Sequence, residues 1–217
     1  MLKYIIVPVT AFAQNCSVIW CDKTKKAAVI DPGGDIEKIE QVIADQNLTV
    51  EKILLTHAHI DHAGGTAQLA QRLALPIEGP HNGDQFWIDA LDQQAQMFGF
   101  ASCEKFTPNR WLNDKDIVTV GEERLDVLHC PGHTPGHVVF YSKGEKLAWV
   151  GDVLFAGSIG RTDFPQGNHQ MLIDSICNNL WPLGSDTEFI CGHGPNSTFA
   201  QERANNPLVG DRVTGLS

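Results

Sequence analysis

Thr56-His57-Ala58-His59-Ile60-Asp61-His62 is the stretch on which the reading of this chain turns. It follows Lys52–Leu55, an apolar run of the buried-strand type. Extended geometry carries His57 and His59 to the same side, two residues apart. The chain must then turn, and the adjacent Asp61 and His62 are free to face different directions. One short loop can therefore offer two ligands to one cation and two to a neighbour. Imidazole and carboxylate are donors that suit zinc, iron or manganese. A histidine-rich surface loop that binds nothing is the plain alternative, but a strand running into a turn is the context a metal site requires.

Three further places repeat that context. Pro131-Gly132-His133-Thr134-Pro135-Gly136-His137 follows a strand ending at Leu128, and its Gly and Pro residues define a tight loop able to present His133. Gly151-Asp152 closes the strand Leu147–Val150, where an aspartate alone would read as a turn residue. Gly192-His193-Gly194-Pro195 follows Ile190, and a lone histidine between glycines is ordinary loop material. Convergence lifts all three: each lies directly after an expected strand, where the loops of a sheet gather on one edge.

Around these sites strands and helices interleave. Leu2–Val7, Cys16–Trp20 and Ala27–Ile30 read as strands, with Asp31-Pro32-Gly33-Gly34 as a turn. Asp35 reads as the N-cap of a helix to about Gln46 that places Ile36, Ile39, Val42 and Ile43 on one face. Helices are expected over Gly65–Leu73, Asp84–Phe98 and His169–Leu180. Strands are expected at Ile117–Val120, Arg124–Leu128, Val138–Tyr141, Leu147–Val150 and Glu188–Ile190. Two halves of strands followed by helix predict two packed sheets with helices outside.

Composition bounds the function. The 217 residues suit one domain spanning 1–217 with a substantial core. A net charge of −10 argues against nucleic acid, whose phosphates need clustered Lys and Arg. No apolar run approaches the ~20 residues of a membrane span. The N-terminal run carries Pro8 and is shorter than a signal sequence, so it reads as a first strand in a cytoplasmic protein. The six cysteines form no C-x-x-C pair and read as reduced thiols, not a disulfide framework.

The ordered set of T-H-x-H-x-D-H, His133, Asp152 after a strand and the final G-H-G-P resembles the metallo-β-lactamase superfamily, over most of the chain. Within it the chain is most similar to glyoxalase II, the hydroxyacylglutathione hydrolases, in their short bacterial form. The resemblance implies an α+β fold, a four-layer αββα sandwich with metals at one edge of the sheets. It implies two divalent ions, zinc first, with iron or manganese as alternatives. His57, His59 and His133 would hold one, Asp61, His62 and His193 the other, and Asp152 would bridge them. Such a pair activates a shared water and polarises a carbonyl, with Asp61 and Asp152 as the catalytic carboxylates. The implied substrate is a small glutathione thioester, S-D-lactoylglutathione, whose leaving thiolate has a parent pKa of roughly 8.5 and needs little acid assistance.

Other residues have blander readings. His137 reads as structural, Asp31 equally as a turn residue or as a group orienting a ligand histidine, and His81, His129 and His169 as surface or packing residues. Cys130 and Cys191 flank the loops without filling a ligand slot. Longer glyoxalase II enzymes add a C-terminal helical domain to the glutathione pocket, whereas here 24 residues, Gly194 to Ser217, follow His193. Arg161 is the candidate substrate contact, with a structural salt bridge as its alternative. Gly160-Arg161-Thr162-Asp163-Phe164 also resembles the persulfide dioxygenases of the superfamily, mononuclear iron enzymes that His57, His133 and Asp152 would serve. A metal-binding module without catalysis is the third reading. The sequence is silent on oligomeric state.

Overall fold

Three short β-branched runs begin a first sheet in the computed structural model, which describes residues 1–215. They are β1 (Leu2–Val9), β2 (Gln14–Cys21) and β3 (Lys26–Ile30), paired antiparallel in succession. The strands β4 (Thr49–Leu54) and β5 (Ile77–Glu78) then add in parallel. Parallel neighbours need crossovers, and helices supply them: α1 (Ile36–Asp45) before β4, and α2 (Ile60–Ala63) with α3 (Thr66–Leu73) before β5. Two more helices, α4 (Gln85–Asp89) and α5 (Leu91–Phe98), precede the second sheet.

That sheet begins as an antiparallel meander of β6 (Ile117–Val120), β7 (Glu123–His129), β8 (Val138–Ser142) and β9 (Leu147–Gly151). A small hairpin, β10 (Leu154–Phe155) and β11 (Ser158–Ile159), and a helix, α6 (His169–Ser175), come next. The strand β12 (Glu188–Cys191) pairs parallel with β9, and β13 (Ser197–Thr198) closes the edge before α7 (Phe199–Asn205) and α8 (Asp211–Thr214). All residues of β8 and β9 are buried, as central strands covered on both faces should be.

The sheets meet through Ile30 and Leu54 on one side and Phe140, Trp149 and Ile190 on the other. Ile36, Ile39 and Leu69 bring α1 and α3 onto the outer face of the first sheet, against Val18, Val29 and Ile53. Leu172 and Phe199 bring α6 and α7 onto the second, against Val139, Val150 and Phe189. The layers therefore run helix, sheet, sheet, helix, the αββα sandwich expected.

Local departures have physical causes. Asp35 precedes α1 but sits at φ 47 and caps none of its amides; its Oδ2 instead accepts the Thr10 amide and pairs with Lys38. The helix expected over Asp84–Phe98 breaks at Ala90, where Gln94 Nε2 donates to the Trp87 carbonyl at 2.9 Å. The one expected over His169–Leu180 is regular through Ser175 and then widens into a π-type turn at Ile176–Leu180, ahead of Pro182. A signal for α7 was present: Thr198-Phe199-Ala200-Gln201 has capping-box spacing, and Thr198 Oγ1 accepts the Gln201 amide. Leu216 and Ser217, the end of the expected 1–217 domain, lie outside the described residues.

Candidate metal centre

Strand direction brings the histidine loops together. In the second sheet β7 and β9 are both antiparallel to β8, and β12 is parallel to β9, so all three end on one edge. His133, Asp152 and His193 follow those three ends. In the first sheet β4 ends beside β3 and leads into His57. The Val138 amide donates to the Thr56 carbonyl at 2.8 Å, tying the two sheets at this edge.

The seven expected residues converge there. His57, His59 and His133 offer ring nitrogens within 4.8 Å of one another, as do donor atoms of Asp61, His62 and His193. Asp152 lies between the groups. Its Oδ1 is 3.3 Å from His62 Nε2, and its Oδ2 is 3.6 Å from His133 Nε2 and 3.7 Å from His193 Nε2. Asp61 Oδ2 is 3.0 Å from His193 Nε2. Two glycines make room. Gly151 turns at φ 48, and a Cβ on Gly192 would stand 2.0 Å from Asp152 Oδ1.

Hydrogen bonds on the far side of four of the five rings, those of His57, His62, His133 and His193, aim their lone pairs inward. Asp31 Oδ1 accepts the Thr56 amide at 2.7 Å, and its Oδ2 accepts the Thr56 hydroxyl at 2.6 Å and His62 Nδ1 at 2.9 Å. The Thr56 hydroxyl proton is thus committed, so its oxygen accepts from His57 Nδ1 at 3.0 Å. His133 Nδ1 donates to the Arg161 carbonyl at 2.7 Å, and His193 Nδ1 to the Phe12 carbonyl at 3.2 Å. Partners of this kind fix tautomer and ring orientation in metal-binding histidines. His137 accepts the Asp152 amide at Nε2 and stacks on His57, a positioning role consistent with its structural reading.

A test of fit for a cation is whether buried donors are left without partners. His57 Nε2, His62 Nε2 and Asp152 Oδ1 are buried and have no hydrogen-bond partner among the described residues. His133 Nε2 and His59 Nδ1 face each other at 2.9 Å. Unpaired polar atoms in such density are costly unless something binds them. The donor chemistry, imidazole and carboxylate, fits a divalent metal.

Charge divides the centre. Burial, reinforced by neighbouring imidazoles, pushes His57 and His59 well below the usual histidine range, and burial lowers His133 as well. Burial opposes charge on His62 too, but the Asp152 and Asp61 carboxylates outweigh it and hold His62 well above that range. His193 is raised in the same way, against burial, by Asp61 and Asp152. Burial would raise Asp152, yet His62 and the other rings hold it far below the usual carboxylate range.

Beyond these, the structure adds a residue that sequence reasoning passed over. Asp84 is fully buried and accepts the Ala58 amide at 3.0 Å, the Thr134 hydroxyl at 2.8 Å and the Gly136 amide at 2.6 Å. It clips the His57–His62 loop to the His133 loop, and burial pushes its carboxyl up to about 7. Nothing in Asn82-Gly83-Asp84 distinguishes it from a turn. Of the bland histidines, His81 and His129 pack against each other in a tilted pair with ring centroids 4.2 Å apart.

Above the centre lies a cavity of about 850 Å³ whose floor includes His59, Asp61, Asp152 and His193. Its walls are Phe12, Phe86, Trp87, Met97, Phe98 and Phe155, contributed by the β1–β2 turn, α4, α5 and β10. Arg161 stands on the rim, in a bidentate pair with Asp163 at 3.0 and 2.8 Å. All six cysteines are free, and no helix among the described residues is long and apolar enough to cross a membrane.

Known proteins are similar to this chain in sequence and fold. Residues 9–193 match the family model described as the Metallo-beta-lactamase superfamily. Hydroxyacylglutathione hydrolase GloC of Haemophilus influenzae is 46% identical over 208 residues, covering 95% of this chain and 98% of the relative. The BLEG-1 B3 metallo-beta-lactamase structure superposes with a TM-score of 0.87 at 36% identity, over 96% of this chain and 99% of the other. TTHA1623 in a di-iron-bound form gives 0.85 at 34% identity, over 94% and 98%.

Proposed function

The chain belongs to the metallo-beta-lactamase superfamily, and from that premise we propose that it is a thioester hydrolase of the hydroxyacylglutathione hydrolase type, converting S-D-lactoylglutathione to glutathione and D-lactate. The observation that carries the proposal is the set of partnerless buried donors on His57, His59, His62 and Asp152, of which His59 and Asp152 line an open cleft. Structural metal sites are closed, whereas a catalytic one leaves a face to substrate.

In this reading His57, His59 and His133 would hold one divalent ion and Asp61, His62 and His193 a second, with Asp152, placed between the two groups, available to both. Zinc is the proposed metal. Bound there, such a pair supplies a water of lowered pKa and a Lewis acid for the thioester carbonyl. The chain's own part is orientation. Asp31 keeps a proton on His62 Nδ1 and, through Thr56, on His57 Nδ1, so that both Nε2 atoms present lone pairs. Asp61 and Asp152 are the catalytic carboxylates, both lining the cleft and both within 4 Å of the His62 and His193 rings. The aromatic walls line the approach to the scissile bond. A thiolate leaves without a dedicated acid, because its parent pKa is only about 8.5.

Anaerobic hydrolysis of S-D-lactoylglutathione tests the proposal, with His57→Ala and a chelated sample alongside. Rapid thiol release that both controls lose is the expected result. A metal-loaded protein that releases no thiol overturns it, and oxygen uptake with glutathione persulfide would then favour the mononuclear iron reading.

A further inference from the structure

We propose that this cleft recognises its thioester by an apolar acyl group, and that the aliphatic and aromatic wall of Phe12, Met97 and Phe98 sets that preference. The inference rests on the thioester hydrolase reading above and goes beyond its lactoyl ester to a preference among acyl groups.

Two observations carry it. The first is the wall. Met97 is 77% exposed, Phe12 44% and Phe98 41%, and all three line the cleft. They form one surface: the Phe12 ring packs edge-on against Phe98 at 6.1 Å and against Phe100 at 5.3 Å. Contiguous exposed apolar surface at a cleft mouth marks a binding surface, since it costs free energy when left in water. Deeper in, Phe86, Trp87 and Phe155 continue it towards the centre.

The second is the shortage of cations. Glutathione carries two carboxylates, and a site that reads them needs matched basic groups. Among the described residues Arg161 is the one Lys or Arg lining the cleft. Its guanidinium already pairs bidentately with Asp163 and lies 4.5 Å over the Phe164 ring. Gln94, one of two amide side chains lining the cleft, spends its groups on Ile60, Ala58 and Trp87. The thiol carrier therefore meets little that complements it, while an apolar acyl chain meets a wall. The reaction remains hydrolysis: the C–S bond breaks, a C–O bond to water's oxygen forms, and water's protons are shared between the carboxylate product and the thiol.

The test is a series of glutathione thioesters, acetyl, butyryl, hexanoyl and phenylacetyl, beside the lactoyl ester, each read as kcat/KM. Burial of a methylene corresponds to roughly three- to four-fold in binding, so hexanoyl should exceed acetyl by at least about tenfold even when partly buried. In Met97→Ser, at a position too exposed to matter for folding, and in Phe98→Ser, the hexanoyl-to-acetyl ratio should fall several-fold. Hexanoyl-N-acetylcysteamine, which lacks both carboxylates, should be cleaved within about tenfold of hexanoylglutathione. A flat or falling series with lactoylglutathione still cleaved overturns the acyl preference and leaves the hydrolase standing. Failure to cleave any thioester removes the hydrolase reading beneath it.

Discussion

Asp31 shows how much one buried carboxylate can organise. It stands at φ 53, directly after β3, and its two oxygens take three donors from Thr56 and His62. Loss of such an orienting group typically weakens metal affinity by 10- to 100-fold. Asp31→Asn should therefore lower affinity by about that range, read by competition with a chromophoric chelator, with the His62 side affected most. Gly192→Ala tests crowding: a Cβ 2.0 Å from Asp152 Oδ1 must displace that carboxylate. The variant should fold and lose most thioesterase activity; full activity would show that Asp152 can move. Asp84 gives a pH signature. Its carboxyl is raised from 3.8 to about 7, so its folded form favours the proton. That contribution is complete below about 3.8 and is lost as pH rises through about 7, with an upper bound of roughly 4 kcal/mol. The stability of the wild type relative to Asp84→Asn should accordingly decline from pH 4 to 8 in chemical denaturation; a flat difference would refute the buried titration. These residues also mark the limit of reading by sequence. His57, His59, Asp61, His62, His133, Asp152 and His193 could be picked out because each follows a strand, a local and repeated cue. Asp84 acts on Ala58, Thr134 and Gly136 across long separations that no local pattern records, and Asp31 fitted a turn as well as it fitted a brace.

At the scale of elements, the apolar periodicity of α1 was decisive because its stripe, Ile36 and Ile39, had to cover a sheet. Ile39 is wholly buried. Ile39→Ala should cost about 2–5 kcal/mol in denaturant unfolding while leaving metal stoichiometry unchanged, since the cavity opens on the far side of the sheet from the histidines. Where elements were short, periodicity had nothing to act on: β5, β10, β11 and β13 are two residues each. Where a side chain rewired the backbone, as Gln94 does at Ala90, a continuous pattern concealed a break. A π-type turn closing α6 likewise preserves the apolar stripe while changing the path of the chain.

For the whole molecule, the cores and the centre are separable. The apolar clusters between and outside the sheets contain none of the seven site residues. Metal removal should therefore leave far-UV circular dichroism near native while lowering Tm. The stabilisation lost is about 2.7 kcal/mol when free metal had stood at 100 times Kd. Collapse of the secondary structure on chelation would instead mean that the cores are too weak to stand alone. The fold class was legible because alternating strands and helices leave few packings, whereas the aromatic cleft was not, since Phe12, Met97 and Phe155 come from distant segments.

One geometric fact reaches further. His57, His59, Asp61 and His62 ride on the first sheet's half, and His133, Asp152 and His193 on the second's. Cations held across these two sets would be rivets through two plates, and their tightness would gauge how those plates are seated. Slippage between them, even by a substitution as remote as one at Ile30 or Trp149, should register as faster metal exchange before it registers as unfolding. Amide hydrogen exchange at the ends of β4 and β9 would then rise together when the rivets are drawn, because neither plate alone can hold that seam shut.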